Sequence, residues 1–317
     1  MSSGSILDRQ MLIISGKGGV GKTTCAAALG IVAARHRKKV VIAETASAQD
    51  LADILGSREL GPDPVRISGN LYAMTVSPEE ALAEYFEVKV HLKRLARPLI
   101  ASQLVEYVTH AAPGLRDILM LGKLWYLARR SVFDLIVFDT PASGHAVSML
   151  RSPQGFLEAV PRGPLAEQTG NVVDWLTDPD AVSIHLVTTA EEMPVNETIE
   201  TTALLEEHLG MDVSSVIVNM LFPEAADART EKALNRVESS DALRSAGRGL
   251  RVADARNLYE CVEFYRSQRS FQARHRRRLK SSLSGTASIA HLPYLFTGSI
   301  GGGQLESLAD ALEGQLL

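Results

Sequence analysis

The sequence predicts an α/β fold in which a mostly parallel β-sheet carries helices on both of its faces. Three observations support this prediction. Short apolar runs alternate with helix-prone stretches along the 317 residues, which is the pattern of consecutive β-α-β units. The first apolar run leads through a glycine-rich loop into the first helix. The composition, with 45% hydrophobic and 22% charged residues, is that of a globular chain with a large core.

The glycine-rich loop at residues 16–24 matches the phosphate-loop pattern G-x-x-x-x-G-K-[ST]. Glycine permits the positive φ angles at which backbone N–H groups close around a polyphosphate, and the following helix directs its positive end at the same anion. Lys22 can reach the terminal phosphates, and the Thr23 hydroxyl can bind Mg²⁺. The sequence therefore predicts a phosphate-loop nucleoside triphosphatase fold with ATP and Mg²⁺ as cofactors. The residues expected to bind the nucleotide here are Gly16, Gly18, Gly19, Val20, Gly21, Lys22, Thr23 and Thr24.

The loop contains a second lysine, Lys17, directly after Gly16. A plain phosphate loop needs only Lys22. The arrangement Gly16-Lys17-Gly18-Gly19 resembles the deviant Walker A loop of dimeric ATPases, in which this lysine reaches across a dimer interface to the partner's nucleotide. The resemblance implies that Lys17 and Lys22 are both catalytic, and a lysine that is merely solvated is the alternative for Lys17.

The second motif is an apolar strand at residues 134–138 that ends on Asp139. An aspartate at the edge of the sheet can hold Mg²⁺ through water, so Asp139 joins Thr23 as an expected metal-binding residue and is also expected to be catalytic. The loop that follows, residues 140–145, is rich in Pro, Ser and Gly and can change shape when the γ-phosphate leaves. An ordinary acid at the end of a strand is the alternative. For His145, a structural and a functional role are equally open.

Two further strands end where a ligand would bind, because ligands bind at the carboxyl edge of a parallel sheet. The strand at residues 39–43 ends on Glu44, where a loop begins that we expect to be a switch loop. The strand at residues 214–218 ends on Asn219, whose amide could pair with the donor and acceptor edge of adenine. Spacing alone does not decide between this role and a structural one.

We expect one domain over residues 1–317, with helical inserts at residues 77–130 and 151–180. The first insert begins with the helix-start signals Ser77-Pro78 and two acids. The second contains four prolines and predicts short helices and turns over the nucleotide face. The amphipathic tail of residues 304–317 contains no Lys or Arg, so we expect it to dock on its own domain rather than on a membrane.

Composition argues against several kinds of partner. The net charge of −4 provides no global basic field, so we expect no nucleic acid partner. The basic run at residues 266–280 leaves nucleic acid or anionic lipid open as a partner, but its neutral flanks and sparse aromatic residues favour a solvated helix face.

Cys25 and Cys261 form no CxxC motif, and the absence of a signal peptide adds to the expectation of a reducing cytoplasm. No apolar run approaches the ~20 residues of a membrane span, so no integral membrane segment is expected.

With these motifs in place, nearly the whole chain resembles the family of arsenite-pump and tail-anchored-protein-targeting ATPases. The resemblance is carried by residues 16–24, 70–74, 77–82, 138–145, 191–198 and 218–223. It implies an ATPase that uses ATP and Mg²⁺, with its second switch at residues 138–145 and its adenine site at Asn219 and Pro293. It also implies a homodimer, or a heterodimer with a homologous ATPase, that acts on a protein client.

The chain departs from the family's pattern in its first switch and its cysteines. The first switch usually reads Asp-Pro-Ala-His, and its Asp positions the attacking water. The matching stretch here is Ala46-Ser47-Ala48-Gln49, and the acids nearest in sequence are Glu44 and Asp50. The cysteines that sense arsenite, and those that bind zinc between targeting-ATPase subunits, have no counterpart. The helical insert at residues 77–130 contains few Met residues, and adaptable apolar grooves tend to use Met. A groove for transmembrane segments therefore has only weak support.

The sequence therefore predicts a dimeric switch protein that binds and hydrolyses ATP and acts on a protein client or partner subunit. Because the first-switch acid is replaced, either Glu44 supplies its catalytic function, or hydrolysis is slow and depends on a partner subunit. Two alternatives stay open. One is an ATP-binding structural or regulatory subunit with little hydrolysis. The other is a partition-type positioning ATPase on DNA or membrane, against which the acidic net charge argues.

Overall fold

The structure is a computed structural model. It describes residues 5–45, 50–90, 114–223, 229, 232, 239–246, 251–283, 285 and 287–317, with residues 85–90, 164, 242 and 246 described by their backbone alone. Two of the predictions fall outside these residues. They concern the first-switch stretch at residues 46–49 and the part of the helical insert at residues 91–113.

One eight-stranded sheet runs through the described part of the chain. Its strands are β1 (Met11–Gly16), β2 (Val40–Thr45), β3 (Val65–Ser68), β4 (Leu71–Val76), β5 (Leu135–Asp139), β6 (Val182–Thr189), β7 (Val213–Leu221) and β8 (Ser288–Pro293). The strand order is β3-β4-β2-β5-β1-β6-β7-β8, and only the pair β3–β4 is antiparallel. The predicted mostly parallel sheet is confirmed. Strand β3 was not predicted, because this short edge strand is largely exposed and lacks a buried apolar pattern.

Helices cover both faces of this sheet. The α-helices of the described ranges are α1 (Lys22–Arg35), α2 (Asp50–Ile54), α3 (Pro78–Val90), α4 (Leu115–Arg129), α5 (Ser143–Ala159), α6 (Pro164–Thr177), α7 (Glu192–Leu209), α8 (Ser240–Ala246), α9 (Val252–Leu283) and α10 (Gly302–Leu316). Side chains alternate across β1, with Ile13 in the core that includes α4 to α7 and Leu12 and Ile14 in the core that includes α1 and α10. The sheet is therefore buried on both sides, as a parallel sheet requires.

The position of β1 determines where the site lies. It is hydrogen-bonded to β5 on one side and to β6 on the other. The connection after β1 passes through α1 to β2, beyond β5, whereas β6 lies on the opposite side of β1. The chain thus reverses direction across the sheet at β1, and the carboxyl end of β1 is a topological switch point, where α/β sheets bind their ligands.

The helices at residues 143–177 differ from the predicted short helices and turns. Helix α5 runs for 17 residues with Pro153 buried inside it, and α6 begins at Pro164. Packing of α5 against α4, α6 and α7 outweighs the tendency of proline to break a helix. The division of the chain into one domain with two inserts stays a prediction.

The last helix, α10, docks on α1, as the amphipathic tail predicted. Arg35 of α1 forms ion pairs with Glu306, Asp310 and Glu313 of α10. On α9, Arg274, Arg277, Arg278 and Lys280 are exposed, which agrees with a solvated face. No helix in the described ranges is both long and apolar enough to cross a membrane.

Candidate active site

The phosphate loop joins β1 to α1 and is held tightly at both ends. Gly16, Gly19 and Gly21 have φ angles of 147°, 81° and 89°. A Cβ atom at Gly16 would lie 2.1 Å from the carbonyl oxygen of Val187, and one at Gly21 would lie 2.4 Å from Asn219 Nδ2. Both ends of the loop therefore exclude any side chain.

The other predicted loop residues take three kinds of position. Gly18 is exposed, and a Cβ atom there would meet open space. Val20 is buried beneath the loop. Thr24 lies in the first turn of α1 and is partly buried. The exposed rim and the apolar support below it give the loop the form of a cradle for an anion.

Asn219 lies beside this loop rather than apart from it. Its Nδ2 donates a hydrogen bond to the Val20 carbonyl oxygen at 2.9 Å, and its Oδ1 accepts one from the Met220 backbone N–H at 2.8 Å. Pro293 ends β8, where it is in register with Leu221 of β7. Asn219 thus supports the shape of the loop, and a contact of Asn219 or Pro293 with adenine stays a prediction.

The two residues predicted to hold Mg²⁺ contact each other. Thr23 Oγ1 donates a hydrogen bond to Asp139 Oδ2 at 2.6 Å. Asp139 Oδ1 is buried and has no hydrogen-bond partner among the described residues. Burial raises the pKa of Asp139 to about 6, against the hydrogen bond from Thr23 and the charge of Lys22, which both lower it. A buried carboxylate with an unused oxygen beside a hydroxyl fits a hard divalent cation such as Mg²⁺.

Lys22 is folded back over the loop. Its Nζ donates a hydrogen bond to the carbonyl oxygen of Lys17 at 3.2 Å. Burial lowers the pKa of Lys22, while the carboxylates of Asp139 and Glu197 act in the opposite direction. The ammonium group is therefore close to the loop backbone and to the aspartate of the expected metal site, as a phosphate-binding lysine must be.

Lys17 forms an ion pair within the same chain. Its Nζ lies 2.7 Å from Glu197 Oε2, and the other oxygen of that carboxylate accepts a hydrogen bond from Ser143 Oγ. Sequence reasoning missed Glu197 as a site residue, although it falls in the stretch of residues 191–198 that contributed to the family resemblance. Only the fold brings it to a lysine 180 positions away.

Glu44 is buried at the end of β2, in register with Asp139 of β5. Its Oε1 accepts a hydrogen bond from the Leu51 backbone N–H at 3.2 Å, and its Oε2 has no partner in the described part of the chain. Burial raises the pKa of Glu44 to about 7, and the nearby charges of Asp139 and Asp50 raise it further against the hydrogen bond from Leu51. Glu44 also lines a cavity of about 310 Å³. Such a group can exchange a proton near neutral pH.

The segment after Asp139 is shorter than the predicted loop. Thr140 Oγ1 donates a hydrogen bond to the Ile14 carbonyl oxygen at 3.0 Å, and α5 already begins at Ser143. His145 is exposed in the first turn of that helix. Non-helical backbone is therefore confined to residues 140–142, directly beside the expected metal site.

An exposed aromatic cluster lies at the carboxyl ends of β7 and β8 and was not predicted. The rings of Phe222 and Tyr294 stack with their centroids 5.3 Å apart, and Phe296 contacts both rings edge-on. The residue Phe296 is 72% exposed. Aromatic residues directly after two neighbouring parallel strands were the sequence signal for this cluster.

The raised pKa of Glu44 predicts a pH-dependent effect of Glu44→Gln on stability. The folded chain keeps a proton on Glu44 up to about pH 7, whereas the unfolded chain loses it near the ordinary value of 4.5. The Glu44 contribution to the wild-type free energy of unfolding therefore falls across this window, and the variant lacks this contribution, whereas that of Asp139 is common to both. We expect the difference, variant minus wild type, to increase from pH 4.5 to above 7 by on the order of 2 kcal/mol.

Urea unfolding at several pH values measures this difference. The matched control is Glu59→Gln, which removes an exposed glutamate from the wall of the same cavity. A difference for Glu44→Gln that does not change with pH would contradict the burial of an ionisable Glu44.

The sheet order, the phosphate loop and the strand-end aspartate together define a phosphate-loop nucleoside triphosphatase fold. The sequence matches the family described as anion-transporting ATPase over residues 9–162 and 164–243. The chain belongs to this family, and it is an ATPase. The family and the enzyme class predicted from the sequence are both confirmed.

Several relatives carry the same activity in their names. ATPase BagA of Mycobacterium tuberculosis is 31% identical over 257 residues, which cover 77% of this chain and 75% of the relative. An ATPase ASNA1 homolog of Entamoeba dispar is 28% identical over 253 residues, which cover 67% of this chain and 76% of the relative. ATPase get3 of Schizosaccharomyces pombe is 28% identical over 51% of each chain.

Proposed function

We propose that the protein is a dimeric switch driven by ATP. ATP binding closes the two subunits on each other, and hydrolysis opens them. This conformational change acts on a protein client or partner subunit. The observation that carries the nucleotide-binding part of the proposal is the 2.6 Å hydrogen bond between Thr23 and Asp139. It brings a metal-binding hydroxyl of the phosphate loop to a strand-end carboxylate, which is the arrangement that holds Mg²⁺ on a nucleotide.

The residues of the loop have distinct roles in this proposal. The backbone of residues 16–24 holds the phosphates, and Lys22 neutralises the terminal ones. Thr23 and Asp139 would hold Mg²⁺, which would offset the negative charge of the phosphates. Lys17 serves the nucleotide of the other subunit, which is either a second copy or a homologous ATPase.

The base of the nucleotide would lie beyond the loop, at the ends of β7 and β8. Asn219 supports this placement because it belongs to β7 and its side chain is hydrogen-bonded to the loop at Val20. The exposed ring of Phe296 supports it further, since aromatic faces stack on bases with about 1–3 kcal/mol each. Pro293 would complete the site from β8.

A cavity in the helical part of the chain supports the client part of the proposal. It measures about 370 Å³ and lies between α3, α4 and α6. Apolar side chains make up much of its wall, among them Ile118, Leu119, Trp125, Leu165 and Val172. An apolar segment of a protein client is the kind of ligand that fits such a wall.

The second candidate function is an ATP-binding regulatory subunit with little intrinsic hydrolysis. The replaced first-switch acid favours it. Measured turnover, alone and with partner subunits, separates it from the switch. A partition-type ATPase on DNA is disfavoured by the net charge of −4, which favours a protein partner over nucleic acid.

The dimer is tested by Lys17→Ala. If Lys17 completes the partner's site, this variant should still bind ATP but lose ATP-dependent association and most of its turnover, because each site of a two-fold dimer would lack one positive charge. Calorimetry measures binding, and analytical ultracentrifugation with an ATP analogue measures association. Wild-type turnover per subunit that stays constant on dilution below the dimer's dissociation constant would show that the site is not shared.

A further inference from the structure

One carboxylate, that of Glu197, joins the phosphate loop to the beginning of α5. Its Oε2 accepts a hydrogen bond from Lys17 Nζ at 2.7 Å, and its Oε1 accepts one from Ser143 Oγ. Glu197 belongs to α7, which packs against α5. Two segments that are expected to respond to nucleotide, the loop and the residues after Asp139, are therefore tied to the same side chain.

The pair of Lys17 and Glu197 is also accessible. Their side chains are 33% and 31% exposed, so an anion approaching from outside the subunit can reach the ammonium group without opening the core. Glu197 carries one negative charge, whereas a triphosphate carries several. At equal distance the triphosphate attracts the ammonium group more strongly. Lys17 can therefore exchange the carboxylate of Glu197 for a phosphate as its ionic partner.

We infer that Glu197 is a positioning residue that holds Lys17 within its own subunit and releases it when two nucleotide-loaded subunits meet. The inference rests on the dimeric switch proposed above. Ser143 begins α5 directly after residues 140–142. A movement of those residues on loss of the γ-phosphate would reach the Glu197 carboxylate through Ser143. Release of Lys17 and the state of the second switch are thereby coupled.

Association of the full chain at saturating Mg²⁺ and AMP-PNP, an ATP analogue that resists hydrolysis, tests this role. Glu197→Gln keeps the shape of the side chain but removes its charge. We expect this variant to dimerise at a concentration about fivefold lower than wild type, since a partly exposed ion pair no longer has to be broken. Glu200→Gln, which removes an exposed charge from the same helix, should dimerise like wild type.

Lys17→Ala, measured in parallel, separates the two ways in which the inference can fail. If Lys17→Ala dimerises like wild type, the shared-site dimer is wrong, and the role of Glu197 falls with it. If Lys17→Ala loses association while Glu197→Gln needs the wild-type concentration or more, the dimer stands and the holding role of Glu197 is wrong. Thermal unfolding without nucleotide is the additional readout, because a merely structural Glu197 would lower Tm without favouring dimerisation.

Discussion

Lys22→Ala is expected to abolish measurable MgATP binding while the fold is retained. Lys22 is the charged side chain of the loop that folds back onto the loop backbone, 3.2 Å from the Lys17 carbonyl oxygen. Hydrogen bonds to charged groups and the attraction of a nearby cation for a triphosphate are both lost in the variant. We therefore expect the dissociation constant to increase at least about 100-fold. Isothermal calorimetry measures this change directly.

The fold should survive the Lys22→Ala substitution because the charge of Lys22 does not stabilise it. Burial of the ammonium group disfavours the charged form and lowers the pKa of Lys22. The matched control is Lys38→Ala, which removes a lysine beyond the opposite end of α1, where Lys38 pairs with Asp8 at 3.2 Å. Lys38→Ala should bind MgATP like wild type. Undiminished ATP affinity in Lys22→Ala, with the circular dichroism of the folded chain, would reject the phosphate site.

The elements predicted correctly from the sequence are those in which local signals and burial agree. Strands β4 and β8 match the predicted residues 71–76 and 288–293, since each is a short run of strand-forming residues bounded by turns. The phosphate loop combines a fixed glycine pattern with a strand before it and a helix after it. Such a combination rarely arises without the corresponding structure.

The features that sequence reasoning missed depend on tertiary packing. Pro153 predicted a break, but it lies inside α5, because packing on three neighbouring helices outweighs the local cost. Glu197 meets Lys17 only after β6 and α7 have been placed beside β1. The sequence placed Asn219 at the correct edge, yet its bond to the Val20 carbonyl oxygen depends on how closely β7 approaches the loop.

Glu44 shows which properties of a site residue can be predicted from the sequence and which depend on the fold. Its position at the end of a strand could be predicted from the apolar run before it. Its pKa of about 7 could not, because that value arises from burial, first, and from the charges that β5 and α2 bring close. The parallel pairing of β2 with β5, in its observed register, makes Glu44 and Asp139 partners. A group placed in this way is a candidate to position or activate water.

Glu44→Gln is expected to lower the rate of ATP hydrolysis in a single turnover by about 100-fold, the usual contribution of a positioned general base. The acid that positions water in related switches is replaced in the stretch of residues 46–49, which lies outside the described residues. Besides Asp139 itself, Glu44 is a buried carboxylate next to the expected metal site with an oxygen that has no hydrogen-bond partner among the described residues. If the replaced acid limits the rate instead, wild-type hydrolysis should be slow, and Ala46→Asp should increase its rate by restoring an acid to the first switch.

The pH profile of this single turnover gives an independent check. Glu44 must be ionised to accept a proton, so the wild-type rate should increase about tenfold per pH unit below pH 7 and level off above it, in line with a pKa of about 7. Glu44→Gln should lose this dependence, whereas the control Glu59→Gln should keep it. Fast wild-type hydrolysis by the isolated chain, unchanged in both Glu44→Gln and Ala46→Asp, would show that neither position supplies the water-positioning group.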